Sequence, residues 1–302
     1  MAFIIEDAVR EKAKARVAFD GPSGAGKTHS ALLFAEGLAP GGLVVVLDSE
    51  QKSSCLEMNK PGIPKFKVCE ITKPYSPDRY VEAINQIAGI GADVLIIDGI
   101  SPEWAGPGGI LDTVDRIQVG GQNKMAAWRT MTPKHNAFID AMLQFPGHLL
   151  VTMRSKTEWD MEKKDGGKIT PKKLGLAPTQ REGIDYEFTV VFDIDQEQHY
   201  AISSKDRTSL YDGKPPERIT TQHGTLLLNW LQSGAEPAPP VGKPLTAAAK
   251  NRIIELAGDA GFKSVEDALD KLSVKPEELT MENVADVAAE LKKIVASQAA
   301  AE

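Results

Sequence analysis

The chain has 302 residues, 42% of them hydrophobic and 25% charged, with a formal net charge of −7. That is an ordinary soluble composition with room for one large α/β domain and a small one, and the negative charge excludes a protein that coats DNA by its overall field while allowing a local basic groove. Cys55 and Cys69 stand at no metal-ligand spacing, no apolar run reaches membrane-spanning length, and Met1 to Arg10 lack a signal-peptide core, so the reading is a cytoplasmic protein with no membrane partner.

In chain order, residues 6–14 read as a short polar helix, followed by a strand at 15–20. Next comes Gly21-Pro22-Ser23-Gly24-Ala25-Gly26-Lys27-Thr28, which fits G-x-x-x-x-G-K-[ST]. Glycines there let the backbone turn sharply and aim N–H groups at phosphate oxygens. In such a loop Lys27 reaches the β- and γ-phosphates and the Thr28 hydroxyl holds Mg²⁺. The helix expected over 27–38 adds the positive end of its dipole. An ordinary glycine turn is the alternative, and the strand before and helix after argue against it.

The next strand, Leu43 to Leu47, ends in Asp48-Ser49-Glu50. Hydrolysis needs a carboxylate that orients and deprotonates water. Glu50 is the first choice for that base and Asp48 the second, and both read blandly as strand-end caps. A strand at 66–71 and a helix at 77–89 follow. The apolar strand Asp93 to Ile97 then ends in Asp98, placed to hold the Mg²⁺ shell through water; alone it would read as a turn cap.

Residues 101–121 are rich in glycine and proline and read as an interruption of the pattern, flanked by Trp104 and Trp128, both expected to be packed. A helix is expected over 123–144 and a strand over 148–152. From Arg154 to Lys173 there are seven basic residues, Arg154, Lys156, Lys163, Lys164, Lys168, Lys172 and Lys173, against four acidic ones, Glu158, Asp160, Glu162 and Asp165. Lysines on such a segment track phosphates of single-stranded DNA, with Trp159 stacking on a base; a solvated, charged β-hairpin is the alternative. Later strands are expected at 186–194 and 199–204. Residues 233–244 are Pro-rich and read as a linker. Residues 245–302 read as three or four helices, with Ile253, Leu256 and Ala260 on one face and Val284, Val287, Leu291 and Ile294 on another. Ser264 caps toward Asp267, and Pro276 fits a first turn. The fold class is α/β, a mainly parallel doubly wound sheet over 1–232, with the linker and a small helical domain after it.

Asp48-Ser49-Glu50 resembles the Asp-Ala-Glu of RecA-like ATPases, where the glutamate is the catalytic base. Val151-Thr152-Met153-Arg154 resembles the strand end with which those proteins read the γ-phosphate, with Arg154 where the family has Gln. Lys205-Asp206-Arg207 resembles the Lys-x-Arg that reaches into a neighbour's site in hexameric motors. The run Lys172 to Gly183, followed by Asp185-Tyr186-Glu187-Phe188, looks like a signature of phage-encoded, AAA-type RecA-like ATPases of single-strand annealing recombination, as do Asp98-Gly99-Ile100-Ser101 and Met153-Arg154-Ser155-Lys156. The resemblance spans residues 15–232. It implies ATP with Mg²⁺, hydrolysis stimulated by DNA, and a homo-oligomeric ring or filament with Lys205 and Arg207 acting on a neighbour. The helical tail lies outside the resemblance; its linker and acidic charge alone read as a domain that recruits a recombinase or single-strand-binding protein. A helicase- or loader-type ATPase and a P-loop kinase of a small molecule are the alternatives.

Overall fold

The computed structural model describes residues 7–121, 123–163, 169–236, 247–272, 274 and 284–299. Two units form, 1–235 and 236–302. Pro276 and most of the Pro-rich 233–244 segment lie outside the described residues.

In the first unit the strands are β1 Arg16–Gly21, β2 Val44–Asp48, β3 Phe66–Glu70, β4 Val94–Asp98, β5 His148–Lys163, β6 Ile169–Pro178, β7 Val190–Ile194 and β8 Ala201–Asp206. The helices are α1 Lys27–Leu38, α2 Pro77–Gly89, α3 Ser101–Ala105, α4 Ile110–Val119, α5 Lys124–Leu143 and α6 Thr221–Gln232. The sheet order is β3-β2-β4-β5-β1-β7-β8, parallel through β7, with β8 antiparallel at the edge. β2 and β4 are buried along their whole length because helices cover both faces, which is why they read as unbroken apolar runs. The sheet is thus an α/β P-loop fold, as the alternation of elements implied.

One face packs α1 and α6 around Phe19, Phe34 and Phe192, whose rings lie 5.6–5.9 Å apart. The other packs α2 and α5 through Tyr80, Ile84, Phe138 and Met142. Each such side chain contributes about 1.5–3 kcal/mol when fully buried. Helices α1 and α6 meet at Gly37 and Gly224. A Cβ on Gly224 would sit 2.1 Å from the Phe34 carbonyl oxygen, so a side chain there would force the helices apart.

Several expectations are corrected. Residues 7–14 form no helix: Lys12 N–H donates to the Ala235 carbonyl (2.8 Å) and Ala235 N–H to that of Arg10 (2.8 Å), so the segment pairs with distant backbone instead of coiling on itself. Residues 101–121 are not a loop but α3 and α4. Pro102 sits in the first turn, Gly109 and Gly120 flank α4, and Ile110 and Val114 bury against Ala127 and Met131. Trp104 and Trp128 pack on each other at 5.9 Å. The strand expected from 186 begins at Val190, after a 3-10 turn at Ile184–Glu187. Helix α6 was not anticipated; Thr220 and His223 cap its start. β5 runs past the sheet and pairs with β6 from Ser155↔Pro178 to Lys163↔Ile169.

The second unit contains α7 Ala247–Asp259, α8 Val265–Lys271 and α9 Val284–Ala299. Ile253, Leu256, Leu269, Val287 and Leu291 form its core, and the Ser264 side chain accepts from Asp267 N–H at 3.1 Å. No helix among the described residues is long and apolar enough to cross a membrane.

Candidate nucleotide site

The site forms where the parallel strands end. After Gly21 the chain turns with Gly24 at φ +79° and Gly26 at φ +85°, a region glycine enters without steric cost. Helix α1 then starts at Lys27 with no side chain capping it among the described residues. Its first N–H groups are therefore free to face an anion. Two residues that sequence reasoning missed brace this loop from behind. Gln196 donates to the Ser23 carbonyl (3.0 Å), and His199 Nδ1 lies 3.1 Å from the Ala25 carbonyl. Both sit in the turn between β7 and β8, far away in sequence, and carry no motif.

Lys27 Nζ donates to the carbonyls of Gly21 (2.9 Å) and Pro22 (2.7 Å). Burial lowers its pKa, while Glu50, Asp20 and Asp98 oppose that shift. The Thr28 hydroxyl donates to both Asp98 oxygens, at 2.9 and 3.0 Å. Strand β5 lies between β4 and β1, so Thr152 stands beside Asp98 and donates to Oδ1 at 2.8 Å, while its own oxygen accepts from Gly99 N–H at 2.8 Å. Burial pushes the Asp98 carboxyl up to about 6; the bonds from Thr152 and Thr28 pull the other way. A carboxylate and a hydroxyl in direct contact, both lining a cavity of about 500 Å³ with the P-loop, are the oxygen donors a magnesium ion takes. The residues present fit that ion.

At the end of β2 the two carboxylates have separate fates. Asp48 is fully buried and accepts from Glu50 N–H, Lys52 N–H, Ser54 N–H and the Ser54 hydroxyl. Its oxygens are used in shaping the corner. Ser49 ties that corner to β4 by donating to the Asp98 and Gly99 carbonyls. Glu50 is lifted into the cavity, its side chain 31% exposed, and accepts from Arg154 Nε (2.9 Å) and Nη2 (2.7 Å). A half-exposed pair of this kind is worth about 0–1 kcal/mol. It is readily exchanged for another partner.

The geometry thus gathers the P-loop, Lys27, Thr28, Asp98, Glu50 and Arg154 around one cavity. It does not bring Lys205 and Arg207 there. Lys205 pairs in register with Val191 and Asp206 with Val190, which sits beside Val17. They lie at the opposite sheet end from Gly21, roughly 13 Å along the strands. Lys205 Nζ donates to the Asp185 carbonyl (2.6 Å) and lies over the Tyr186 ring; Arg207 Nη2 donates to the Tyr186 carbonyl (2.8 Å). Lys156 and Lys163 fall on β5, and Lys172 and Lys173 on β6, where their backbones stand in register with those of Asp160 and Trp159. Lys164 and Lys168 lie outside the described residues.

A family model described as an AAA domain matches residues 13–223. No curated protein matches the chain.

Proposed function

The chain belongs to the AAA-domain family of P-loop ATPases, and from that premise we propose that it hydrolyses ATP in a cycle coupled to single-stranded DNA. The observation that carries this reading is the course of β5. One strand bears Thr152 on Asp98, Arg154 on Glu50, and then Lys156 and Lys163 in the projecting hairpin. A change in the hairpin therefore reaches the metal carboxylate Asp98 through Thr152 and the base Glu50 through Arg154, two residues of the same strand.

In this reading the P-loop N–H groups and Lys27 hold the β- and γ-phosphates, and Thr28 and Asp98 hold magnesium. The magnesium supplies charge neutralisation at those phosphates when bound. Glu50 takes a proton from the attacking water, whose oxygen bonds to the γ-phosphorus as the β,γ-bridging bond breaks and ADP leaves. Arg154, released from Glu50, contacts the γ-phosphate. Lys205 and Arg207 serve a neighbouring copy in a ring or filament. On the resemblance of the 172–188 run, the process served is phage strand-annealing recombination. The C-terminal unit, with eleven acidic and eight basic residues over 241–302, recruits a recombinase or single-strand-binding protein.

The test is steady-state ATP hydrolysis without DNA, with single strands and with duplex, over a range of protein concentrations. Stimulation by single strands, with activity per protomer rising with concentration, is expected. A rate indifferent to both overturns the reading in favour of a small-molecule kinase or a nucleotide-set scaffold.

A further inference from the structure

A second cavity, about 470 Å³, adjoins the Glu50–Arg154 pair. Both side chains line both cavities, so the ion pair is a partition shared between them. The other walls include Lys73 and Tyr75 ahead of α2, Ser101 of α3, and Thr179 just after β6. Its charged residues are two cations, Lys73 and Arg154, and one acid, Glu50. This is a positive cleft in a chain of net charge −7.

Lys73 is exposed and makes no ion pair among the described residues. The Ser101 hydroxyl accepts from Arg154 N–H at 2.9 Å and keeps its own proton to donate. Thr179 N–H donates to the Arg154 carbonyl at 2.6 Å, fixing the hairpin base to the same residue. A cationic cleft with hydroxyl donors selects a phosphate oxygen over a neutral ligand. Its guanidinium is the one that now holds Glu50.

We infer that this cleft binds a phosphate group, which competes with Glu50 for Arg154 and frees the carboxylate for the attacking water, while Arg154, lining both cavities, also faces the γ-phosphate. The inference rests on the reading of Glu50 as the base. It adds a site, separate from the nucleotide cavity, at which an anion switches hydrolysis on. The phosphate comes from the backbone of a single strand lying along the hairpin, or from free phosphate in solution; the chemistry recognised is the same.

The test compares wild type with Lys73→Gln, using binding of a fluorescent ATP analogue to show that the variant is folded. Oligothymidylate binding is followed by anisotropy across salt concentrations, and ATP turnover with and without the oligonucleotide. Inorganic phosphate is titrated separately into the ADP–Mg²⁺ complex. If the backbone is the source, the stimulation ratio falls roughly fivefold or more in Lys73→Gln, and the salt slope of binding shrinks by about 0.7, one phosphate contact on a single strand. If oligothymidylate neither binds nor stimulates wild type, yet inorganic phosphate binds in a Lys73-dependent way, the cleft stands with free phosphate as its ligand and the DNA reading falls. Oligonucleotide stimulation and phosphate binding that are both indifferent to Lys73 overturn the inference, whatever becomes of the DNA reading.

Discussion

Arg154 reaches Glu50 across the end of a strand that belongs to neither: β4 lies between β2 and β5 in the sheet, and the guanidinium passes over it to meet the carboxylate at 2.7 Å. Asp98, at the end of that intervening strand, lines the same cavity. In this arrangement the candidate base is occupied by a cation. On the proposed reading of Glu50 as the base, hydrolysis requires the pair to open.

Glu50→Gln separates the two carboxylates at the end of β2. The variant is expected to bind a fluorescent ATP analogue as wild type does and to lose turnover by about 10²- to 10⁴-fold, the share a positioned general base supplies. Asp48→Ala is expected to act on stability instead. It strands three backbone N–H groups and a hydroxyl that Asp48 satisfies, at a cost of about 1–3 kcal/mol for each donor left without a partner. Thermal melts and turnover assays on both variants check this. Near-normal turnover in Glu50→Gln would pass the base role to another group.

Thr152 has a role the strand pattern did not disclose. Its hydroxyl orients Asp98 and accepts from Gly99 N–H, so Thr152→Val leaves the metal carboxylate less well held. The Mg²⁺ concentration for half-maximal turnover is expected to rise by about 10- to 100-fold, the usual cost of losing such a supporting contact. Affinity for the ATP analogue measured without Mg²⁺ is expected to stay the same. An unchanged Mg²⁺ midpoint would leave Thr152 as a structural residue alone.

What the sequence disclosed follows from how local each feature is. The P-loop was legible because its eight residues are consecutive and its glycines meet a backbone need within that run. β2 and β4 were legible because burial on both faces leaves no polar position. By contrast, the Glu50–Arg154 pair joins residues 104 apart, and Gln196 and His199 support the P-loop from more than 170 residues away. Neither leaves a local trace. Residues 101–121 misled because glycine and proline read as breakers, whereas here they sit at helix ends. Residues 7–14 misled because the pairing that decides their conformation, with Ala235, comes from the other end of the unit.

Lys205 and Arg207 sit at the sheet end away from the P-loop, so any role in hydrolysis is played in another copy's site. Arg207→Ala and Glu50→Gln are each expected to be nearly inactive alone. Mixed in equal amounts and reassembled, they are expected to recover about a quarter of wild-type turnover, because a random cyclic arrangement places an intact Glu50 beside an intact neighbouring Arg207 at one interface in four. Wild-type turnover in Arg207→Ala, or no recovery on mixing, would remove the finger role.

Asp20, the residue before the P-loop, sets a pH dependence of stability. It pairs in register with Asp193 on β7, is 2% exposed, and its Oδ1 has no hydrogen-bond partner among the described residues. Burial, then the Asp193 charge, pushes its pKa up to about 7; burial raises Asp193 as well. Between the unfolded value near 4 and the folded value, the native state holds a proton that the unfolded chain has released. Stability therefore falls as pH rises through that window, and the cost is complete above it. Asn at position 20 keeps the shape and never ionises. Asp20→Asn is expected to stabilise the nucleotide-free protein by on the order of 2 kcal/mol at pH 8 and by clearly less at pH 5. Urea titrations at the two pH values measure this. A gain equal at both would mean that Asp20 is not carrying the buried charge, and that the pair with Asp193 keeps its proton throughout.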